Sequence, residues 1–263
     1  MPIRRTRSPR APSKRITGDA TLTPKIFGVA DIGSNSTHLL VAVTDGVRVE
    51  PLADTSHPLQ LGALIADRGE IGKGAATEIG EVLAAFREQA LAAGAEDVAL
   101  VATEPLRRAD DRVEVLRRIS SHVEGRIAVL EHAEEGLLTV LGLRHGHDRS
   151  ASLVVVDIGG GSTEIVHIVP HRPPRSFGVS IGSARLGGVE RGDRPPSAKD
   201  WERLRAAASA GLGAIGLLRT RQVIVTGGTA TNLLRLLPST MLDREIAPED
   251  LLAMGKILSS ERA

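Results

Sequence analysis

One string occurs twice in this chain and constrains its fold more than any other feature. Asp31-Ile-Gly-Ser-Asn-Ser-Thr-His38 aligns without a gap on Asp157-Ile-Gly-Gly-Gly-Ser-Thr-Glu164, at an offset of 126 residues and with five identities in eight positions. Each copy follows an apolar run (Ile26 to Asp31, Leu153 to Val156) and leads into another (His38 to Val43, Glu164 to Val169). Apolar runs on both sides of a turn-forming cluster read as a hairpin. Two such hairpins in one chain read as an internal duplication.

The turns also carry a chemical implication. Gly, Ser, Asn and Thr leave backbone N–H groups open to an anion, as in the concave nests that bind phosphate. Gly159, Gly160 and Gly161 allow positive φ and close approach of a ligand. Asp31 and Asp157, at the ends of apolar strands, stand where acids hold a divalent cation against phosphate oxygens. Mg²⁺ needs few protein carboxylates because substrate and water complete its shell. Asp157 and Glu164 begin opposite arms of one hairpin and so can approach a single ion. For either copy alone, a turn that does nothing more than reverse the chain explains the residues as well; the duplication favours the phosphate site. Neither copy is a Gly-x-x-x-x-Gly-Lys-Ser/Thr loop or a Gly-x-Gly-x-x-Gly turn into a helix, and no His-Glu-x-x-His pair is present.

Between and after the motifs, strands alternate with helices, which predicts an α/β protein. Ala76, Ile79, Val82, Leu83, Phe86 and Ala90 recur at helical spacing ahead of Gly94. Strands are expected at Val98–Val101, Ile127–Leu130 and Val223–Val225. Helices are expected at Val113–Ile119, His132–Leu143, Trp201–Leu218, Thr229–Leu237 and from Pro248 to about Leu258. The proline-rich stretch from Pro173 to Pro196 reads as loop.

At 263 residues the chain has room for two domains, and one large domain also fits. Residues 26–137 and 138–263 are the expected domains, each built on one copy of the motif. Residues 1–25 hold seven Lys/Arg against Asp19, a local +6 within an overall +1, and four prolines. They lack the apolar residues that would order them and read as a disordered basic leader, or as an arm that attracts a polyanion. No apolar run approaches the roughly 18 residues that span a bilayer. With no cysteine, thiol catalysis and thiolate metal sites are excluded, in keeping with a cytoplasmic protein. Three Phe, one Trp and no Tyr argue against a stacking platform for single-stranded nucleic acid.

The strings Val29-Ala-Asp-Ile-Gly-Ser-Asn-Ser-Thr-His-Leu-Leu40 and Val155-Val-Asp-Ile-Gly-Gly-Gly-Ser-Thr-Glu-Ile-Val166 resemble the exopolyphosphatase/guanosine pentaphosphate phosphohydrolase family. Leu61-Gly62, Thr103-x-x-x-Arg107, Glu134-Glu135, Gly182-x-x-Arg185 and Gly227-Gly228-Thr229-Ala230 follow in the same order. The resemblance implies two ribonuclease-H-like domains of the actin and sugar-kinase superfamily with the active site in the cleft between them. It implies Mg²⁺-assisted release of a terminal phosphate from polyphosphate or guanosine pentaphosphate. On it, Glu135 is the group that activates water and Arg107 clamps phosphate oxygens. Ser34, Asn35, Ser36, Gly159, Gly160, Gly161, Ser162, Thr163, Gly228 and Thr229 cradle the substrate, and Asp31, Asp157 and Glu164 hold the metal. Alone, Glu135 would read as an acid favoured by the helix dipole, and Arg107 as a surface residue beside Arg108.

Departures from the family pattern are local. Gln60 replaces a basic residue, Glu104 and Pro105 stand where small residues are usual, and Asp111 replaces Asn. Gly136 stands where Ala is usual, which weakens its helix by about 1 kcal/mol. Family members continue beyond the region matching Ser259–Ala263, so the second domain is expected to be incomplete, or completed by a swap or a partner; a homodimer is a further expectation. Two other readings stay open: a catalytically impaired phosphate or nucleotide sensor of the same fold, and a superfamily kinase or ATPase.

Overall fold

The computed structural model describes residues 23–143, 151–187, 197–220, 222–236 and 245–260. Nearly all of the basic leader, His145, His147, Pro195, Pro196 and Leu237 lie outside those residues. Each copy of the repeated motif opens a sheet. In the first half, β1 (Lys25–Ile32), β2 (Ser36–Thr44) and β3 (Val49–Pro58) form an antiparallel meander. Helices α1 (Leu61–Arg68) and α2 (Gly72–Ala92) return the chain to β4 (Asp97–Ala102), parallel to β1. Two more helices, α3 (Glu104–Arg108) and α4 (Arg112–Ile119), lead to β5 (Ile127–Val129). The order is β3-β2-β1-β4-β5.

The second half repeats the plan. After α5 (His132–Leu143) come β6 (Leu153–Ile158), β7 (Thr163–Ile168) and β8 (Arg175–Val179), then α6 (Ser183–Gly187) and α7 (Ala198–Gly213). Strand β9 (Gln222–Thr226) lies parallel to β6, giving the order β8-β7-β6-β9, followed by α8 (Gly227–Leu236) and α9 (Pro248–Ser260). The two sheets therefore share one topology, the α/β duplication that the repeated string implies.

The expected strands and helices are present, with some ends moved. Helix α7 stops at Gly213 rather than Leu218, and Gly216 at φ 73° turns the chain out. Helix α8 begins two residues early because Gly227, at φ 89°, takes the tight turn off β9. The Pro173–Pro196 stretch contains β8 and α6 as well as loop. Burial alternates along β1, where Gly28, Ala30 and Ile32 face a core shared with Ile79, Leu83 and Ala90 of α2. Each such large side chain removed from water contributes about 1.5–3 kcal/mol. The second core is smaller among the described residues, with Val140 of α5 set against Val155 and Val166.

Gly136 has a role that helix propensity hides. A Cβ there would lie 2.8 Å from Val166 Cγ2 and 3.1 Å from Ser176 Oγ. The missing side chain lets α5 approach β7 and β8 closely, and that approach carries Glu135 to the second turn.

Candidate active site

The two motifs fold alike down to single hydrogen bonds. Gly33 N–H donates to Ser36 O at 3.1 Å, and Gly159 N–H donates to Ser162 O at 3.0 Å. Asp31 pairs across its hairpin with His38, and Asp157 with Glu164. Each turn is steadied by the short helix that follows the third strand of its sheet. Gly62 N–H donates to Ser34 O at 2.8 Å, and Ala184 N–H donates to Gly160 O at 2.8 Å. The turns also meet each other: a Cβ at Gly160 would sit 2.8 Å from Asn35 Nδ2, and one at Gly161 would fall on Glu104 and Ser34. Only glycine permits this approach.

Helix α3 brings Arg107 to this junction. Thr103 N–H and Oγ1 both donate to Ile32 O, at 3.2 and 3.3 Å, which pins the start of α3 to the end of β1. Arg107, its side chain 7% exposed, then donates through Nη1 to Glu135 Oε2 and Leu130 O, each at 2.6 Å. Its Nη2 lies 3.3 Å from Ser162 Oγ, 3.2 Å from His132 Nδ1 and 3.6 Å from Glu164 Oε1. Bonds from a guanidinium to carboxylates in a dry site are among the strongest polar contacts a fold can make.

Helix α5 presents the acids. Glu134 turns back to accept from Glu131 N–H at 2.8 Å and caps the helix, which leaves the neighbouring Glu135 to face Arg107. One turn later Thr139 Oγ1 lies 3.0 Å from Asp157 Oδ2, tying α5 to the end of β6. His132 Nδ1 is 2.6 Å from Glu164 Oε1, with its ring over Gly178 of β8, where no Cβ fits. Neutral Glu164 donates in this contact and ionised Glu164 accepts. Among the described residues, His132, Glu135 and Glu164 form the close group able to hold a metal ion. Asp31 and Asp157 lie outside that group but near enough to be felt electrostatically.

The charges reflect that crowding. Burial first, then the Glu135 charge, pushes the Asp31 carboxyl up to about 6; His38 and Arg107 pull the other way. Glu164 rises to about 7, chiefly through burial, with Ser162 and Arg107 opposing. Glu135 is also raised, by burial and then by Glu164, against its bond to Arg107. His132 is lowered by burial and then by Arg107, so it favours the neutral ring. Asp31 Oδ1 is buried without a hydrogen-bond partner.

Beside this cluster opens a cavity of about 380 Å³ lined by Asn35, Gly159, Gly160, Ser183, Gly228 and Thr229, among others. Ser34 is buried and bonded to Glu104, and the Thr163 hydroxyl donates to Ile181 O at 2.6 Å, so both hydroxyls are engaged within the protein. Ser36 contributes its carbonyl to the first turn. Thr229 Oγ1 is buried and unpartnered at the start of α8. Sequence reasoning missed His132, Thr139 and Glu104 as members of the site. The one available signal was the departure at Glu104.

Duplicated ribonuclease-H-like halves with paired glycine turns at a cleft define the α/β class to which the fold belongs. The family model described as "Ppx/GppA phosphatase family" matches residues 39–262, and the chain belongs to that family. Among curated relatives, exopolyphosphatase 1 of Mycobacterium leprae is 31% identical over 181 residues, 68% of this chain and 53% of that protein. The Mycobacterium tuberculosis exopolyphosphatase 1 is 30% identical over the same shares. The chain thus spans about half the length of the curated relatives it matches. A solved exopolyphosphatase from Cytophaga hutchinsonii aligns at 25% identity and TM-score 0.70, covering 86% of this chain and 73% of that one. The Aquifex aeolicus family member aligns at 24% identity and TM-score 0.67, covering 87% and 73%, and shares the fold.

Proposed function

We propose that the chain is a phosphoanhydride hydrolase that releases a terminal phosphate from inorganic polyphosphate or guanosine pentaphosphate. The observation that carries this reading is the Arg107–Glu135 pair, 2.6 Å apart and largely buried beside the second glycine turn. A glutamate raised above its ordinary pKa and held next to an anion cradle suits a general base working near neutral pH. In the proposed step, a water oxygen attacks the terminal phosphorus while Glu135 takes one water proton. The bridging P–O bond breaks toward the remaining anion. Arg107 offsets charge on the transferred group. Gly159 closes the turn through its own N–H, and the N–H groups of Gly160 and Gly161 and the Ser162 hydroxyl hold the oxygens of that group, with Asn35, Gly228 and Thr229 along the cleft for the rest.

The donor set also fits a divalent cation. Asp31, Glu135, Asp157 and Glu164 crowd one buried guanidinium, and Asp31 Oδ1 is an unused buried oxygen. Mg²⁺ held by Asp31, Asp157 and Glu164 would neutralise phosphate charge, consistent with its preference for oxygen ligands over the His132 nitrogen. In this reading the protein acts in the cytoplasm on a soluble polyanion, alone or as a homodimer.

The test is phosphate release from polyphosphate and from guanosine pentaphosphate with Mg²⁺. Glu135→Gln, which preserves the shape beside Arg107, is expected to slow release by about 100-fold or more. No release from either substrate by the unaltered chain would sink the reading, and tight binding without turnover would assign a sensor instead.

A further inference from the structure

Glu104 borders the cluster just described and is held by a different set of partners. It is 2% exposed, on a five-residue helix whose Arg107 points to Glu135. Its carboxylate is held from three directions. Ser34 Oγ donates to Oε2 at 2.9 Å, Arg108 Nη1 donates to Oε1 at 2.6 Å, and Arg185 Nη1 stands 3.5 Å from the same oxygen. The backbone of the second turn passes against it at Gly161, where any Cβ would strike the carboxylate.

These partners are unusual for a structural ion pair. Ser34 belongs to the first glycine turn, Gly161 to the second, and Arg185 to the helix that steadies the second. Two guanidiniums converge on one carboxylate and leave an excess positive charge. Arg185 is lowered by burial and then by the nearby Arg108 charge, a cost that fitting only one partner would avoid. Two guanidiniums and a hydroxyl, packed against a glycine backbone, make a donor set that suits a tetrahedral oxyanion. The neighbouring residue along the second turn, Ser162, contacts Arg107. The Glu104 position is therefore adjacent along the same turn to the cradle assigned to the reacting phosphate.

We propose that Glu104 is a specificity-determining residue whose carboxylate occupies a phosphoryl-binding position formed by Ser34, Arg108, Arg185 and the Gly161 backbone. The consequence is that the cleft holds one phosphoryl group fewer than its donors would otherwise accept. This rests on the reading of the adjacent cradle as a phosphoanhydride site. It differs from a plain tie between the turns, for which removing the carboxylate would only loosen the cleft and weaken anion binding.

The experiment compares the full chain with Glu104→Ala, using inorganic tripolyphosphate as the probe, by titration calorimetry and thermal denaturation at pH 7.5. Glu104→Ala is expected to bind tripolyphosphate at least 10-fold more tightly. Its melting temperature is expected to fall without anion and to recover on adding tripolyphosphate by a larger increment than the unaltered chain gains, since a ligand of the folded state stabilises it by mass action. Adding Arg185→Ala is expected to abolish the gain. Should Glu104→Ala fail to fold, Glu104→Ser, which clears the position while leaving a small polar group near Ser34, is expected to shift affinity the same way. Equal or weaker binding in every variant that folds would overturn the proposal. Because binding is read apart from turnover, a chain that releases phosphate yet shows no gain sinks this inference alone. A gain in a chain that releases none sinks only the hydrolytic reading.

Discussion

Glu164 offers a quantitative check on the electrostatics of the site. Its side chain is 2% exposed, and burial is the main cause that raises its carboxyl from 4.5 to about 7. A carboxyl raised in the folded state binds its proton more tightly there than in the unfolded chain. Between pH 4.5 and 7 the folded state therefore carries the extra proton, and stability falls as pH rises through that window. At about 1.4 kcal/mol per pH unit, the loss attributable to Glu164 is about 3 kcal/mol. Glu164→Gln removes the ionisation and keeps a group able to bond His132. Urea denaturation at constant ionic strength from pH 5 to 8 should show a fall in the unaltered chain that is about 3 kcal/mol shallower in the variant. Asp31, raised to about 6, contributes a fall of the same sign to both proteins, so the difference reports Glu164 together with the lift its charge gives Glu135. His132, lowered in the fold, works oppositely: its protonation costs stability as pH drops below its unfolded value of 6.5. If Mg²⁺ binds the acids, it should flatten the curve of the unaltered chain more than that of Glu164→Gln. Identical slopes for the two proteins without metal would refute the claim that Glu164 ionises with difficulty.

Arg107→Met keeps the apolar stem but strips Glu135 and Glu164 of their shared cation. Breaking a buried pair from one side is expected to cost about 3–5 kcal/mol at pH 8 and less at pH 5, where the acids take up protons, measured by the same denaturation series. Gly136→Ala sets a helix-propensity gain of about 1 kcal/mol against overpacking of about 1–3 kcal/mol, because the new Cβ would meet Val166 at 2.8 Å. A lower melting temperature is expected, relieved by adding Val166→Ala; a higher one in the single variant would show that α5 can retreat freely. Gly227→Ala combines a φ of 89° with a Cβ only 2.8 Å from Asp157 Oδ1. It should lower both the melting temperature and the affinity for tripolyphosphate, and unchanged binding would separate the α8 turn from the anion cleft.

Several elements were readable because their signals are local. The His132–Leu143 helix has the ends that its apolar spacing predicts. The strand pairs flanking the motifs fall where their apolar runs do. By contrast, β3 was not expected: Val49–Pro58 is polar and contains Pro51 and Pro58, and it becomes a strand through pairing along β2. Strand β8 likewise depends on β7 for its definition. Helices α3 and α6 have five residues each, too short for a period to show. Gly136 was read as a weakness because propensity is a property of the helix alone, whereas its packing against Val166 belongs to the pair.

The sequence by itself determined the duplication, the α/β class, the two glycine turns and the acids that end their strands. Each is written in contiguous residues, where backbone freedom and apolar runs act over short range. Which side chains share a site was decided only by the tertiary structure. Arg107 reaches Glu135 and Glu164 because Thr103 anchors α3 to β1 and because Gly136 lets α5 close on the second sheet. His132 joins Glu164, and Glu104 meets Ser34 and the Gly161 backbone, through long-range contacts of the same kind. Those meetings depend on contacts between residues tens of positions apart, and on a dry interior that makes each charge felt by the next. No local pattern encodes either.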